Sequence, residues 1–259
     1  MGAYNAVRID FVDGTSQVRF YKETIKVKDI TEWQESELES ERIDNKYIKH
    51  IKTPFGQYGD LKGIHEHVYY TALELALRHQ RCVISSVNRT KNQLYNYAMG
   101  NIWDWFITLT FNKEKIDRYD YKACCKAVRQ WLNNMRKRYA KDLKYLIVPE
   151  MHKDGAWHFH GVLSNCGDMV FNMACNKHTG ELLCTKSGLQ IYNFGNYNWG
   201  FSTATRVNDN KKACNYITKY ITKELAARTK GIRRFYPSNN LDKPPRSYFF
   251  WKILKRWCS

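Results

Sequence analysis

Apolar and polar positions alternate over residues 4–28 in two runs, Val7, Ile9 and Phe11 in the first and Val18 and Phe20 in the second, either side of Asp13-Gly14. Alternation lines one face of a strand and Asp-Gly is a tight-turn pair, so the pattern predicts a β-hairpin. From Asp29 to Asp44 the chain is acidic and poor in apolar residues, which reads as a solvated linker or a polar helix. Over 65–99 the period becomes helical, with Ala72, Leu73, Leu75, Ala76 and Leu77 followed by Arg78, Arg81, Arg89 and Lys91. Phe106-Ile107-Thr108-Leu109-Thr110-Phe111 is β-branched and aromatic, a buried strand. Cys124, Val128, Trp131, Leu132, Met135 and Tyr139 then recur at helical spacing over 120–141, so one face packs and the other, with Lys126, Arg129, Arg136, Lys137 and Arg138, is basic. Tyr145–Met151 is a second strand, turned by Lys153-Asp154-Gly155 into a third, Trp157–Leu163. A register symmetric about residue 154 sets position 150 opposite position 158. Residues 165–196 are rich in Asn and Gly and read as an insertion loop with one short hairpin; Trp199–Val207 is a further strand. A helix from about 210 to 229 follows and ends near Gly231.

Charge adds a partner to this outline. Lys and Arg number 42 against 25 Asp and Glu, a net charge of +17, and the first sixty residues are slightly acidic, so the basic surface lies after residue 60. Aromatics stand among the cations, as in Trp251-Lys252-Ile253-Leu254-Lys255-Arg256-Trp257, a mixture suited to stacking bases and neutralising phosphates of single-stranded nucleic acid. No run approaches the ~18 apolar residues of a membrane span, and Met1–Ala6 carries no secretory pattern, so a cytosolic chain with no membrane partner is expected. The eight cysteines follow no Cys-x-x-Cys spacing and are expected to be reduced thiols; Cys166, Cys175, Cys184 and His178 offer zinc-ligand types at spacings that match no common finger. The absence of a Gly-x-x-x-x-Gly-Lys-Ser/Thr loop argues against a fused P-loop helicase.

Two segments carry chemistry. In Trp157-His158-Phe159-His160 the imidazoles face one way and Phe159 the other. Two nitrogen ligands and a carboxylate from the neighbouring strand would hold a divalent cation with positions open for water and a phosphate oxygen. Glu150 fits the third place by its position in the hairpin, and His152, on the same face, is the alternative. The second segment is Tyr216-Ile217-Thr218-Lys219-Tyr220-Ile221-Thr222-Lys223. At about 100° per residue, Lys212, Tyr216, Lys219, Tyr220 and Lys223 fall in one sector, while Cys214, Ile217, Ile221 and Leu225 form a core stripe. Two phenols ringed by ammonium groups have what a tyrosine nucleophile in phosphoryl transfer needs, because cations favour the phenolate and bind the scissile phosphate. Lys212, Arg206, Arg136, Lys137 and Arg138 are candidate DNA contacts.

In their order, Phe-x-Thr-Leu-Thr-Phe (106–111), Glu…His-Phe-His (150, 158–160) and Tyr-x-x-Lys-Tyr-x-x-Lys (216–223), these segments resemble the three motifs of HUH endonucleases, and most closely the rolling-circle replication initiators of small single-stranded DNA phages and plasmids. Trp199-Gly200, on a strand just before the tyrosines, adds to the likeness, which covers residues 103–224. The resemblance implies an α+β fold, an antiparallel sheet of about five strands flanked by helices in the ferredoxin-like or RRM-like, split βαβ arrangement, with the histidines on a central strand. It further implies Mg²⁺ or Mn²⁺ on His158, His160 and Glu150, and attack by Tyr216 or Tyr220 to give a 5′-phosphotyrosine and a free 3′-hydroxyl, with Lys219 and Lys223 beside the phenols. Single-stranded DNA or an origin hairpin would be the substrate, a host helicase and polymerase the partners, and a bacterial host cytoplasm the setting. Residues 1–100 would then be an accessory region, 101–230 the endonuclease domain and 231–259 a basic aromatic tail. A transposase or relaxase on the same fold is the second reading, although no three-histidine cluster of the relaxase kind is present; a non-catalytic single-strand binder is the third.

Overall fold

The computed structural model describes residues 3–26, 72–229 and 232–249, and within them all side chains except those of 3, 22, 23, 26, 72–79, 223, 227 and 228. The acidic stretch Asp29–Asp44, the side chains of the apolar run 72–77 and the segment Trp251–Trp257 lie outside this set. The chain divides into two compact units, one holding 1–9, 16–75 and 246–259, the other 10–15 and 76–245.

In the smaller unit the expected hairpin forms from β1 (Ala3–Asp10) and β2 (Ser16–Lys26). At the turn between them Gly14 takes φ +79°, and Asp13 Oδ1 accepts from the Thr15 amide at 3.0 Å and the Thr15 hydroxyl at 2.6 Å. A strand from the chain's other end, Arg246–Phe249, pairs antiparallel with β1.

The larger unit is built on a seven-stranded sheet. Its first helix is α1 (Ala72–Met99), and the strands begin with β3 (Trp105–Phe111), followed by α2 (Tyr121–Arg138), β4 (Lys144–Met151) and β5 (Trp157–Ser164). Then come β6 (Phe171–Met173), β7 (Tyr192–Phe194) and β8 (Gly200–Arg206), two short helices, α3 (Asn210–Thr218) and α4 (Lys223–Arg228), and β9 (Tyr236–Pro237); the strand Arg246–Phe249 is β10. The order is β6-β7-β8-β3-β5-β4-β9, with every pair antiparallel. Because β5 runs against both β3 and β4, those two are parallel to each other with the histidine strand inserted between them, the split βαβ arrangement. The architecture is thus α+β, as expected, with seven strands rather than about five. The 165–196 insertion supplies β6 and β7 at one edge, and Tyr236–Pro237 adds the other edge, where a proline costs no ladder bond.

Period-2 burial decides the faces. On β3, Trp105, Ile107, Leu109 and Phe111 are buried and face α2, together with Phe159, the partner of Leu109. The helix α2 meets this side through Tyr121 against Trp157 and Trp131 against Phe194. Of the predicted apolar stripe of α2, Cys124, Val128, Trp131, Leu132 and Met135 are buried while Tyr139, at the C-cap, is half-buried, and Asp120 caps the start by accepting from the amides of Lys122 and Ala123. The opposite face carries Thr108, Thr110, Glu150, His158 and His160 and is met by α3 and the turn that follows it. Among the described residues, no helix is long and apolar enough to cross a membrane.

Candidate active site on the histidine strand

The hairpin register is the one the turn implied: Glu150 lies opposite His158, and Val148 opposite His160. On the other side of β5, Thr110 pairs with His158 and Thr108 with His160. Cross-strand partners share a face, so each imidazole has a threonine beside it. Thr108 Oγ1 lies 3.1 Å from His160 Nδ1, and Thr110 Oγ1 3.2 Å from His158 Nδ1. Both rings are therefore held by Nδ1 and turn Nε2 away from the strand, as second-shell partners of metal-binding histidines do.

His160 Nε2 is 2.7 Å from Glu150 Oε2. An ionised carboxylate only accepts, so Nε2–H is the donor here, and a neutral His160 then takes the Thr108 proton at Nδ1. A hydroxyl can also accept from Nδ1–H, so Thr108 holds the ring equally well when the Nε2 lone pair is needed for a cation. The hydrogen bond to His160 lowers the Glu150 carboxyl below its ordinary range. His152 stacks on His158 with ring centres 4.4 Å apart, and burial, followed by its histidine neighbours, lowers the His158 pKa, so that ring stays neutral where a ligand must be neutral. Two imidazoles with anchored Nδ1 atoms and a carboxylate are nitrogen and oxygen donors of types that divalent cations accept, with the imidazoles favouring a transition metal over Mg²⁺. Among the described residues no three or more His, Cys, Asp or Glu groups are gathered as a ligand cluster; Glu150 is closed onto His160 instead.

The tyrosine segment departs from the expected single helix. The helix α3 begins at Asp209, which accepts from the Lys212 amide, and ends at Thr218. Lys219, Tyr220 and Ile221 then donate to carbonyls three residues back, at 3.1, 3.4 and 3.3 Å. Thr222 takes an extended conformation and its hydroxyl accepts from the Leu225 amide, starting α4 afresh. The cap competes with helix continuation and wins, because it satisfies an amide that a helix start would otherwise orphan.

The break sends the two phenols to different environments, a correction to the shared solvent-facing sector. Tyr220 turns inward and stacks on His160, with ring centres 3.8 Å apart and planes 4° apart. Tyr216 is 47% exposed, lies edge-on to Phe106 at 5.3 Å and to Tyr220 at 5.6 Å, and has the Lys219 ammonium 5.1 Å from its ring centre. Cations do not favour a phenolate at Tyr220: burial comes first in raising its pKa, then the hydrogen bond with Tyr216 and the Glu150 charge. Lys212 pairs with Asp209 at 3.3 Å and is almost fully exposed. The Lys223 side chain lies outside the described residues.

The candidate DNA contacts sit elsewhere. Arg206 pairs with Trp105 across β3 and β8, on the α2 face, with its guanidinium 3.9 Å from the Trp105 ring centre. Arg136, Lys137 and Arg138 form the last turn of α2, where they offset the negative helix end. Among the described residues the cysteines of the 165–196 insertion are free thiols, Cys166 buried and Cys175 and Cys184 exposed, and no cluster of metal-ligand types brings them together with His178. Three further residues shape the site, Thr108, Thr110 and Asn210. Alternation along β3 marks Thr108 and Thr110 as facing the histidines once the strands are paired; Asn210 has no sequence signal. Its side chain accepts from the Trp103 amide at 3.1 Å and donates to the Asn101 carbonyl at 3.0 Å, fixing the start of α3 to the segment that leads into β3.

Residues 104–225, just under half of the chain, match the family model described as "Replication-associated protein ORF2/G2P", so this segment is similar to that family. The matched stretch runs from the edge of β3 into α4 and takes in both histidines, Glu150 and both tyrosines. No curated protein and no solved structure matches the chain. The match supports a replication-associated protein acting on DNA.

Proposed function

We propose that the protein initiates replication by nicking and rejoining single-stranded origin DNA through a tyrosine. The observation that carries the reading is the Tyr220 ring lying flat on His160, whose Nε2 meets Glu150, so a nucleophile, two metal-ligand types and a carboxylate share one sheet face. In this reading the Tyr220 oxygen attacks a backbone phosphorus and the bond to the 3′-oxygen breaks. The phenol gives up its proton, the leaving 3′-oxygen gains one, and the products are a 5′-phosphotyrosine and a 3′-hydroxyl. Attack of that hydroxyl on the phosphotyrosine reverses the step and rejoins the strand. His158, His160 and Glu150 would hold a divalent cation, Mg²⁺ or Mn²⁺, which would supply Lewis-acid polarisation of the phosphate. Thr108 and Thr110 orient the imidazoles, and Lys219 lends positive charge on the exposed side of Tyr216. Tyr216, one turn earlier, would take a second phosphoryl transfer.

Incubation of the protein with a labelled single-stranded oligonucleotide pool and Mn²⁺ should give a protein–DNA band that survives denaturant and is lost with EDTA. Peptide mapping then places the DNA on a tyrosine. Tight binding with no adduct in any sequence context sinks the nicking reading and leaves a single-strand binding protein.

A further inference from the structure

In the smaller unit, one tyrosine from each strand joins a continuous row of rings. Tyr4 of β1 meets Tyr21 of β2 edge-on, with ring centres 6.0 Å apart, and meets Tyr248 of β10 at 4.8 Å with a 57° tilt. The central ring is buried, while Tyr21 is 37% exposed and Tyr248 54% exposed. Among the described side chains of these strands, Arg19 lies two residues from Tyr21 on β2 and Arg246 two residues from Tyr248 on β10, so by alternation each shares a strand face with an exposed ring. Arg246 is close enough for its charge to act on the Tyr4 phenol.

We propose that this three-stranded sheet is a second binding surface for single-stranded DNA, with Tyr21 and Tyr248 stacking bases either side of Tyr4 and Arg19 and Arg246 holding the backbone. Unpaired bases have two open faces to offer and a phosphate between each pair, which matches half-exposed rings set among cations. A duplex hides its base faces, and an acidic protein would use the cations but leave the rings idle. The surface lies outside the segment that matches the replication family, so nothing about the histidine site assigns it. The inference rests on the proposed single-stranded substrate but not on the tyrosine chemistry. It gives the N-terminal hairpin and the 246–249 strand a role: gripping a length of strand other than the one being cut.

The test is fluorescence anisotropy on the full chain in EDTA, with a labelled thymidine 30-mer and a duplex of the same length. The double variant Tyr21→Ala with Tyr248→Ala should bind the single strand at least about tenfold more weakly, given the usual worth of base stacking, and bind duplex as before. Tyr21→Phe with Tyr248→Phe keeps the rings and should bind like the parent, and photocrosslinking of the unaltered protein to an iodouracil oligonucleotide should map to Tyr21 or Tyr248. Single-strand affinity within twofold of the parent in the alanine variant overturns the proposal. So does an equal loss on duplex, or crosslinks confined to the larger unit. A parent that forms the covalent adduct while the alanine variant binds normally refutes only this second surface; a parent that forms none while the stacking results hold refutes only the nicking chemistry.

Discussion

Tyr216 and Tyr220 are four residues apart in a repeated Tyr-x-x-Lys unit and touch each other, yet one is exposed and the other lies on His160, and on the proposed reading that difference orders their roles. Tyr220 is half-buried on His160, where burial and the Glu150 charge disfavour the phenolate, so it is a poor nucleophile until positive charge enters the site. Tyr216 stands in solvent beside Lys219. On the proposed reading a nucleophile must be held against a phosphate beside His160, and of the two phenols it is Tyr220 that stacks on that ring. Tyr220→Phe should therefore cut the rate of first adduct formation by at least about a hundredfold, since removing a nucleophile removes the covalent step. Tyr216→Phe should leave the first adduct within a few fold and abolish transfer to a second strand. Single-turnover gels with a first and then a second oligonucleotide measure both steps, and equal loss of the first adduct in the two variants would sink this order.

At the level of elements, the site depends on close approach between strands as much as on its ligands. Gly200 opens β8, and a Cβ there would run into the Thr110 carbonyl oxygen and lie 2.6 Å from the Asn112 amide nitrogen. Both are backbone atoms, so the neighbour cannot swing aside, and the residue displaced is the one whose hydroxyl orients His158. Gly200→Ala should cost about 1–3 kcal/mol of stability, the usual range for overpacking, and should lower adduct yield by more than the unfolded fraction explains. Thermal melts alongside adduct yield normalised to folded protein check this; a variant that melts lower but reacts normally per folded molecule would show that Gly200 serves packing alone. The Trp199-Gly200 pair was legible in the sequence only as a likeness, whereas the strand pairing supplies its physical reason. The register of β4 and β5 was legible because a short turn around Gly155 leaves little freedom, and the α2 stripe because its period is regular. The break after Thr218 was not, because Tyr216, Ile217, Ile221 and Leu225 keep a helical period while a single Thr222 hydroxyl stops the helix. Propensity and period saw the stripe; the cap decided the geometry.

For the whole molecule, net charge and buried chemistry make opposite claims about alkaline stability. Raising pH from neutral reduces the +17 charge, relieves self-repulsion and on that ground alone should stabilise the fold. The folded chain also buries thiols and phenols. Burial pushes Cys124, Cys166, Cys214 and the Tyr236 phenol up to about 12, and raises Tyr121, Tyr197 and Tyr220 further. Each has a folded pKa above its unfolded value, so its contribution is fully present below the unfolded pKa, about 9 for a thiol and 10 for a phenol, and is lost as pH rises towards the folded value. Every such group adds up to about 1.4 kcal/mol per pH unit to the slope, and several act together, whereas surface repulsion at moderate salt is screened within about 10 Å. Burial should win. The thermal midpoint, measured under reductant, should hold between pH 7 and 8.5 and then fall steeply towards pH 10.5, even though the net charge is shrinking. Cys214→Ala should start from a lower midpoint and fall less steeply, because one group that ionises only on unfolding is gone. A midpoint that rises over the same range would mean that charge relief outweighs the buried thiols and phenols, and a slope unchanged in Cys214→Ala would remove that thiol from the balance.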